Sequence, residues 1–291
     1  MKKLILALAL STACASAPAS AEQCSAGKTI VEEFSGSGVS LLKVNALAGY
    51  LEISASDSQS ISFTGHACSD KAEWLDRMTL DIERQGEVLV LTVMIPYDDD
   101  DFDARYAYMD IDLTLPASIP LEVKDSSGDI VISEVSATQV DDSSGNIRVN
   151  HNQSSLTVRD SSGEIVIRNL KGDLEISDSS GDIDIREVYG SVHIPRDSSG
   201  EIDIETVTGE VTIGSDGSGD IEITDVAADV KVGSDGSGSI KIRDVQGSVT
   251  IGSDGSGGIT VVNITGNLVI SAKGSGDVRT RAIQGEISLP R

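Results

Sequence analysis

Acidic side chains recur in this 291-residue chain at a spacing that could hold a hard cation. The string S-D-G-S-G-D-I-E-I-T at 215–224 sets Asp216 and Asp220 around one Gly-Ser-Gly corner. Asp160 with Glu164, Asp178 with Asp182, and Asp197 with Glu201 bracket other corners in the same way. Carboxylates and corner carbonyls are the hard oxygen ligands that calcium takes. These residues are therefore the candidate metal ligands, with Ca2+ as the one cofactor to consider. A purely structural corner competes with that reading. Asp and Ser accept hydrogen bonds from nearby backbone N–H groups, and Gly supplies the tight turn. The acid follows the last glycine directly, unlike the calcium-binding nonapeptide repeat, and the ligand pattern of an EF-hand loop is missing. The structural corner is the favoured reading.

Other chemistry has less to stand on. His66, His151 and His193 are isolated from one another in the sequence. Asp184 and Asp203 are the nearest approach to paired carboxylates, but the outward column they occupy runs Val131, Arg148, Val166, Asp184, Asp203, Glu222, Lys241, Thr260, Arg279, with no repeated acid–base pair. A polysaccharide-active β-helix enzyme needs acids and bases in a cleft, usually built from long loops, and the spacers here are too short to supply them. Aromatics make up 3% of the chain, too few for sugar-stacking platforms. The acidic run Asp98–Asp101 with Asp103 lies among Tyr97, Phe102, Tyr106 and Tyr108 and reads as a solvated loop tip.

The elements that must position these residues are set by a repeat. Corners end at Gly128, Gly145, Gly163, Gly181, Gly200, Gly219, Gly238, Gly257 and Gly276, at spacings of 17 to 19 residues. Each unit reads G-[DE]-I-x-I-x-x-V-x-G-x-V-x-I, as in Ile202, Ile204, Val207, Val211 and Ile213 around Gly209. Alternation of period two on either side of a central glycine predicts two short strands per unit. Gly172, Gly190, Gly209, Gly247, Gly266 and Gly285 mark a second corner, where positive φ is expected to be their use. One such unit cannot bury its apolar face alone, so units must stack. Residues 121–291 are expected to form an all-β, parallel β-solenoid of about nine coils of ~19 residues, with one strand spacing of about 4.8 Å per coil. In water, aspartates at that spacing would repel by about 0.9 kcal/mol per pair.

Residues 22–120 read as a smaller, strand-rich capping module. It holds a hairpin from "MTLDIE" and "EVLVLTVMI" about Gln85-Gly86, and a short helix near 69–75 with Ser69 or Asp70 as N-cap. Gly49–Ile53 reads as a degenerate copy of a unit's second strand.

Lys2 and Lys3, an apolar run from Leu4 to about Ala15, and Ala19-Ser20-Ala21 predict a signal peptide over residues 1–21. The expected location is the periplasm, cell surface or extracellular space. Cys14 offers a lipoprotein alternative with a poor lipobox. Cys24 and Cys68 then remain as an even pair, expected to form a disulfide. The net charge of -25 argues against nucleic acid and anionic membrane as partners. No later stretch is apolar enough for a membrane span.

With Leu113-Thr-Leu-Pro116 preceding units of the form G-x-I-x-V-x-x-V-x-G-x-V, the chain resembles the bacterial putative-adhesin family, a group of domains of unknown function. The resemblance covers about 27–291 and implies a strand-rich start, a repeat fold and no catalytic residues. The expected function is an exported, non-enzymatic cell-envelope scaffold or interaction module, with an unidentified protein or glycan partner and capacity for self-association. A calcium-stabilised surface adhesin using the acidic turns is the alternative.

Overall fold

A computed structural model describes residues 24–290. The signal-peptide segment and Cys14 lie outside the described residues. Nearly everything described is β-structure, arranged as two 13-stranded sheets packed face to face. The elements before the repeats are β1 (Ala26–Ser35), β2 (Leu41–Asn45), β3 (Leu51–Ser56), β4 (Ser60–Ser69), α1 (Ala72–Leu75), β5 (Thr79–Gln85), β6 (Val88–Met94) and β7 (Ala107–Pro116). The first full coil is β8 (Pro120–Lys124) and β9 (Ile130–Ser133), and later coils repeat that pair.

From β8 onward each coil gives one strand to each sheet, parallel to its equivalents above and below. Like residues stack on like. Ile183, Ile202, Ile221 and Ile240 are successive register partners, as are Val192, Val211, Val230 and Val249. These side chains are sealed from solvent, forming one apolar column along the solenoid. The fold is thus a parallel β-solenoid of about nine turns preceded by a strand-rich N-terminal module.

That module is not a separate plug. Strand β2 pairs in parallel with β8, and β3 with β9, so residues 41–56 are themselves a coil of the stack. Strands β6 and β7 form a further coil beyond it, parallel to β2 and β3. The earliest coil in the chain therefore sits between two later ones. Gly49 occupies the same corner stack as Gly128, whose Cβ, if it had one, would lie 1.9 Å from the Gly49 oxygen. Leu51 and Ile53 stand opposite Ile130 and Ile132. Gly49–Ile53 is therefore a copy of a unit's first strand, not its second. Its partners decide this, because alternation alone fits either strand.

Antiparallel strands finish this end. In one sheet β4 covers the edge of β7 and β1 covers β4; in the other, β5 covers β6. The β5–β6 hairpin turns at Gly86, where φ is 67°. The helix is one turn long, and its N-cap is Lys71 rather than Ser69 or Asp70. Ser69 is the last residue of β4, where its Oγ accepts from the Lys71 N–H at 3.1 Å, while Asp70 is taken up by Arg105.

Candidate functional site: the aspartate corner

Each D-x-S-G corner carries the chain from one sheet to the other, and corners are joined from coil to coil. The Gly145 N–H donates to the Ser162 oxygen at 3.1 Å, and the Gly163 N–H to that of Ser180 at 3.1 Å. Ser162 and Ser180 hydroxyls donate to the carbonyls of Ser143 and Ser161. The glycine is required twice over. At Gly200 φ is 140°, and a Cβ would lie 1.9 Å from the Gly181 oxygen.

The structure separates the two acids of the four candidate corners. Asp160, Asp178, Asp197 and Asp216 belong to a column, Asp125 to Asp254, whose eight members are between 2% and 7% exposed. Register pairing is direct for Asp216, Asp235 and Asp254, with Lys273 next in line. Glu164, Asp182 and Glu201 are exposed and Asp220 is half-buried, in a second column. There, Asp182 Oδ1 accepts the Glu201 N–H and Asp220 Oδ1 accepts the Ser239 N–H, both at 2.8 Å. Lys241 also reaches Asp220 at 3.1 Å, and these bonds hold the Asp220 carboxyl below its ordinary range. Among the described residues no three His, Cys, Asp or Glu side chains converge on a point where a metal could sit.

In the buried column, one oxygen of Asp142, Asp160, Asp178 and Asp197 accepts the next residue's N–H at 2.6–2.8 Å. The other oxygen of each, and both oxygens of Asp125, Asp216, Asp235 and Asp254, make no well-formed hydrogen bond, although N–H groups of the next two residues lie close enough to Asp125, Asp216 and Asp235 to pull their carboxyls partly back down. Burial pushes the Asp125 carboxyl up to about 7. It pushes Asp142, Asp178, Asp216 and Asp235 up to about 6, with neighbouring aspartates adding to the effect. Asp160, Asp197 and Asp254 are raised for the same first reason. The repetition that suggested an acidic edge was legible in the sequence, but the burial of one acid in each pair was not.

The second corner differs from expectation. Among its glycines only Gly172 has a left-handed φ; Gly190, Gly209, Gly247, Gly266 and Gly285 do not. They are needed for close approach, since a Cβ on Gly209 would lie 2.6 Å from the Gly190 oxygen. The left-handed turn falls instead three positions earlier, on Glu187, Thr206, Asp225, Asp244, Asn263 and their equivalents, at φ of 54–62° across the column. Asn169 donates to Glu187, and Thr206 to Asp225, one coil on.

The other candidates are absorbed by ion pairs. Arg186 binds Asp184, Asp203 and Glu205, and Arg168 binds Asp184, so the two carboxylates on adjacent coils are held in a shared ion-pair cluster. The acidic run folds onto α1. Arg77 pairs with Asp99 and lies 5.3 Å over the Trp74 ring, while Asp103 binds Lys71 and accepts from Trp74 Nε1. Phe102 packs between Trp74 and Tyr97. Cys24 and Cys68 are bonded to each other beside the β1–β4 pairing, with Cα atoms 5.6 Å apart.

Residues 100–188 match the family model Toastrack DUF4097. No curated protein matches the chain. Among solved structures, a putative adhesin from Parabacteroides distasonis is 16% identical, covering 87% of this chain and 97% of its own, with a TM-score of 0.41. A putative lipid binding protein from the same organism is 17% identical over 86% and 96%, with a TM-score of 0.43. A putative cell adhesion protein from Clostridium sporogenes is 12% identical over 88% and 99%, with a TM-score of 0.36. The stretch that matches Toastrack DUF4097 thus begins within the acidic run and extends through the fourth aspartate corner.

Proposed function

We propose that this protein is an exported, non-enzymatic, adhesin-like scaffold of the cell envelope, which presents its sheet faces to a protein or glycan partner. The observation that carries this is the back-to-back packing of corner glycines. Gly181, Gly200, Gly219 and Gly238 each sit so close to the coil below that a Cβ would lie under 2.0 Å from its carbonyl oxygen. Among the described residues, corners that tight add no loop at this edge from which a cleft could be walled, and catalytic sites are clefts. What remains for the solenoid to offer is length, stiffness and a repeated surface, as in other stacked-repeat binders. Among the described residues no helix is long and apolar enough to cross a membrane.

The test is to incubate residues 22–291 with an array of glycans and envelope proteins and, in parallel, with acidic polysaccharides. Saturable binding with no new reducing ends or unsaturated products supports the scaffold. Turnover of any polysaccharide rejects it.

A further inference from the structure

The eight stacked aspartates are the least explained feature of the molecule. An ionised carboxylate shut off from water with only nearby backbone N–H groups on one side is costly, and two carboxylates one strand spacing apart cannot both ionise cheaply. Among the described residues no arginine or lysine forms an ion pair with any of the eight. Lys124, Arg159 and Arg196 directly precede Asp125, Asp160 and Asp197, yet their side chains are exposed on the opposite side of the strand. The charged groups that do face the column are mostly acidic. Asp129 acts on Asp142, Asp182 on Asp197, and Asp220 on Asp235, while Lys273 acts on Asp254 at one end. The unpartnered oxygens belong to neighbours in register, such as Asp216, Asp235 and Asp254.

We infer that this column is a proton-holding spine, in which neighbouring carboxyls share protons from coil to coil and the folded rod is more stable in mild acid than at neutral pH. Each step moves one proton from water onto a buried carboxylate oxygen, giving a carboxyl that donates to the carboxylate of the next coil. Such O–H···O⁻ bonds are short and charge-assisted. Shared protons between paired carboxyls are known behaviour for acids held this close. The raised carboxyls support the same picture, up to about 7 at Asp125 and about 6 at four others.

The sign follows from linkage. An aspartate whose folded value lies above its ordinary 3.8 binds more protons folded than unfolded. Its contribution is therefore most favourable in acid and is lost as pH rises through about 6 to 7.

The experiment follows thermal unfolding of the full chain between about pH 5 and about pH 8 at constant ionic strength. The triple variant D178N/D197N/D216N, whose near-isosteric amides cannot titrate, is compared. We expect the wild-type midpoint to fall with rising pH, and the variant's slope to shrink by about a third or more. A wild-type midpoint that is flat or rises, or a variant with an unchanged slope, overturns the inference. Should the variant fail to fold, infrared spectra of native wild type decide. A protonated-carboxyl C=O band present at about pH 6 and lost by about pH 8 is expected, and its absence at the lower pH overturns the idea. Calcium chloride against matched sodium chloride, near neutral pH, separates the other occupant. A calcium-specific rise without the protonated band would assign the column to cations instead.

Discussion

At the scale of the residue, each coil depends on two backbone conformations that side chains resist. Gly200 sits at φ 140° against the Gly181 oxygen. Gly200→Ala should therefore lower stability by roughly 2–4 kcal/mol, through strain and clash together, as read from the urea midpoint. Thr206 has the opposite problem, since it is β-branched yet held at φ 61°. Left-handed backbone costs an ordinary residue about 1–2 kcal/mol, and asparagine bears it better. Asn169 and Asn263 already occupy equivalent positions and hydrogen-bond to a neighbouring coil. Thr206→Asn is expected to raise stability by about 1 kcal/mol in the same assay. A loss would mean that the Thr206 bond to Asp225 matters more than the backbone strain.

At the scale of the element, strands of four to six residues hold only because identical strands lie on both sides. The apolar column makes each coil's packing depend on its two neighbours, so damage should stay local. Ile204 is fully buried and stands in register between Ile185 and Ile223 in the core column. Ile204→Ala should cost about 2–5 kcal/mol. Amide exchange should quicken most in its own coil and the two adjacent ones, with β1 and β4 little affected. Uniform loss of protection over the whole solenoid would show a cooperativity that this architecture does not lead one to expect. The antiparallel strands at the N-terminal end have a different staple. The Cys24–Cys68 bond spans 44 residues. Reducing it should remove roughly 2–4 kcal/mol, seen first as faster exchange in β1.

At the scale of the whole molecule, charge dominates. With a net charge of -25 the folded rod repels itself, and many of the outward acids are spaced at strand distance along its length. Ion pairs such as Arg186 with its three carboxylate partners relieve this only locally. Sodium chloride raised from about 0.02 M to about 0.3 M at neutral pH should therefore increase the unfolding midpoint. A protein stabilised mainly by its surface ion pairs would show the reverse. The salt effect should weaken as pH falls, because protonation of the aspartate column removes charge.

The periodic part of this fold was legible from the residues themselves. Glycine at a fixed interval, with alternating aliphatics between, favours an arrangement in which every coil lies on a copy of itself, since an antiparallel sandwich of the same strands would not require identical corners at that interval. The hairpin at Gly86 was likewise readable, because its alternation and turn are local. What the tertiary structure decided was anything that depends on which copy lies next to which. Strands β2 and β3 form the earliest coil in the chain yet stack between β6–β7 and β8–β9, a placement set by pairing between residues more than forty positions apart. The left-handed position at the second corner fell on Thr206 and its equivalents rather than, apart from Gly172, on the nearby glycines, because the glycines were needed where one coil's backbone presses on the next. The acid pairs looked alike in sequence. Only the stacking of corners put one member out of reach of water and left the other in it, since the chain reverses direction between them and a side chain's solvent is chosen by the side of the turn on which it emerges.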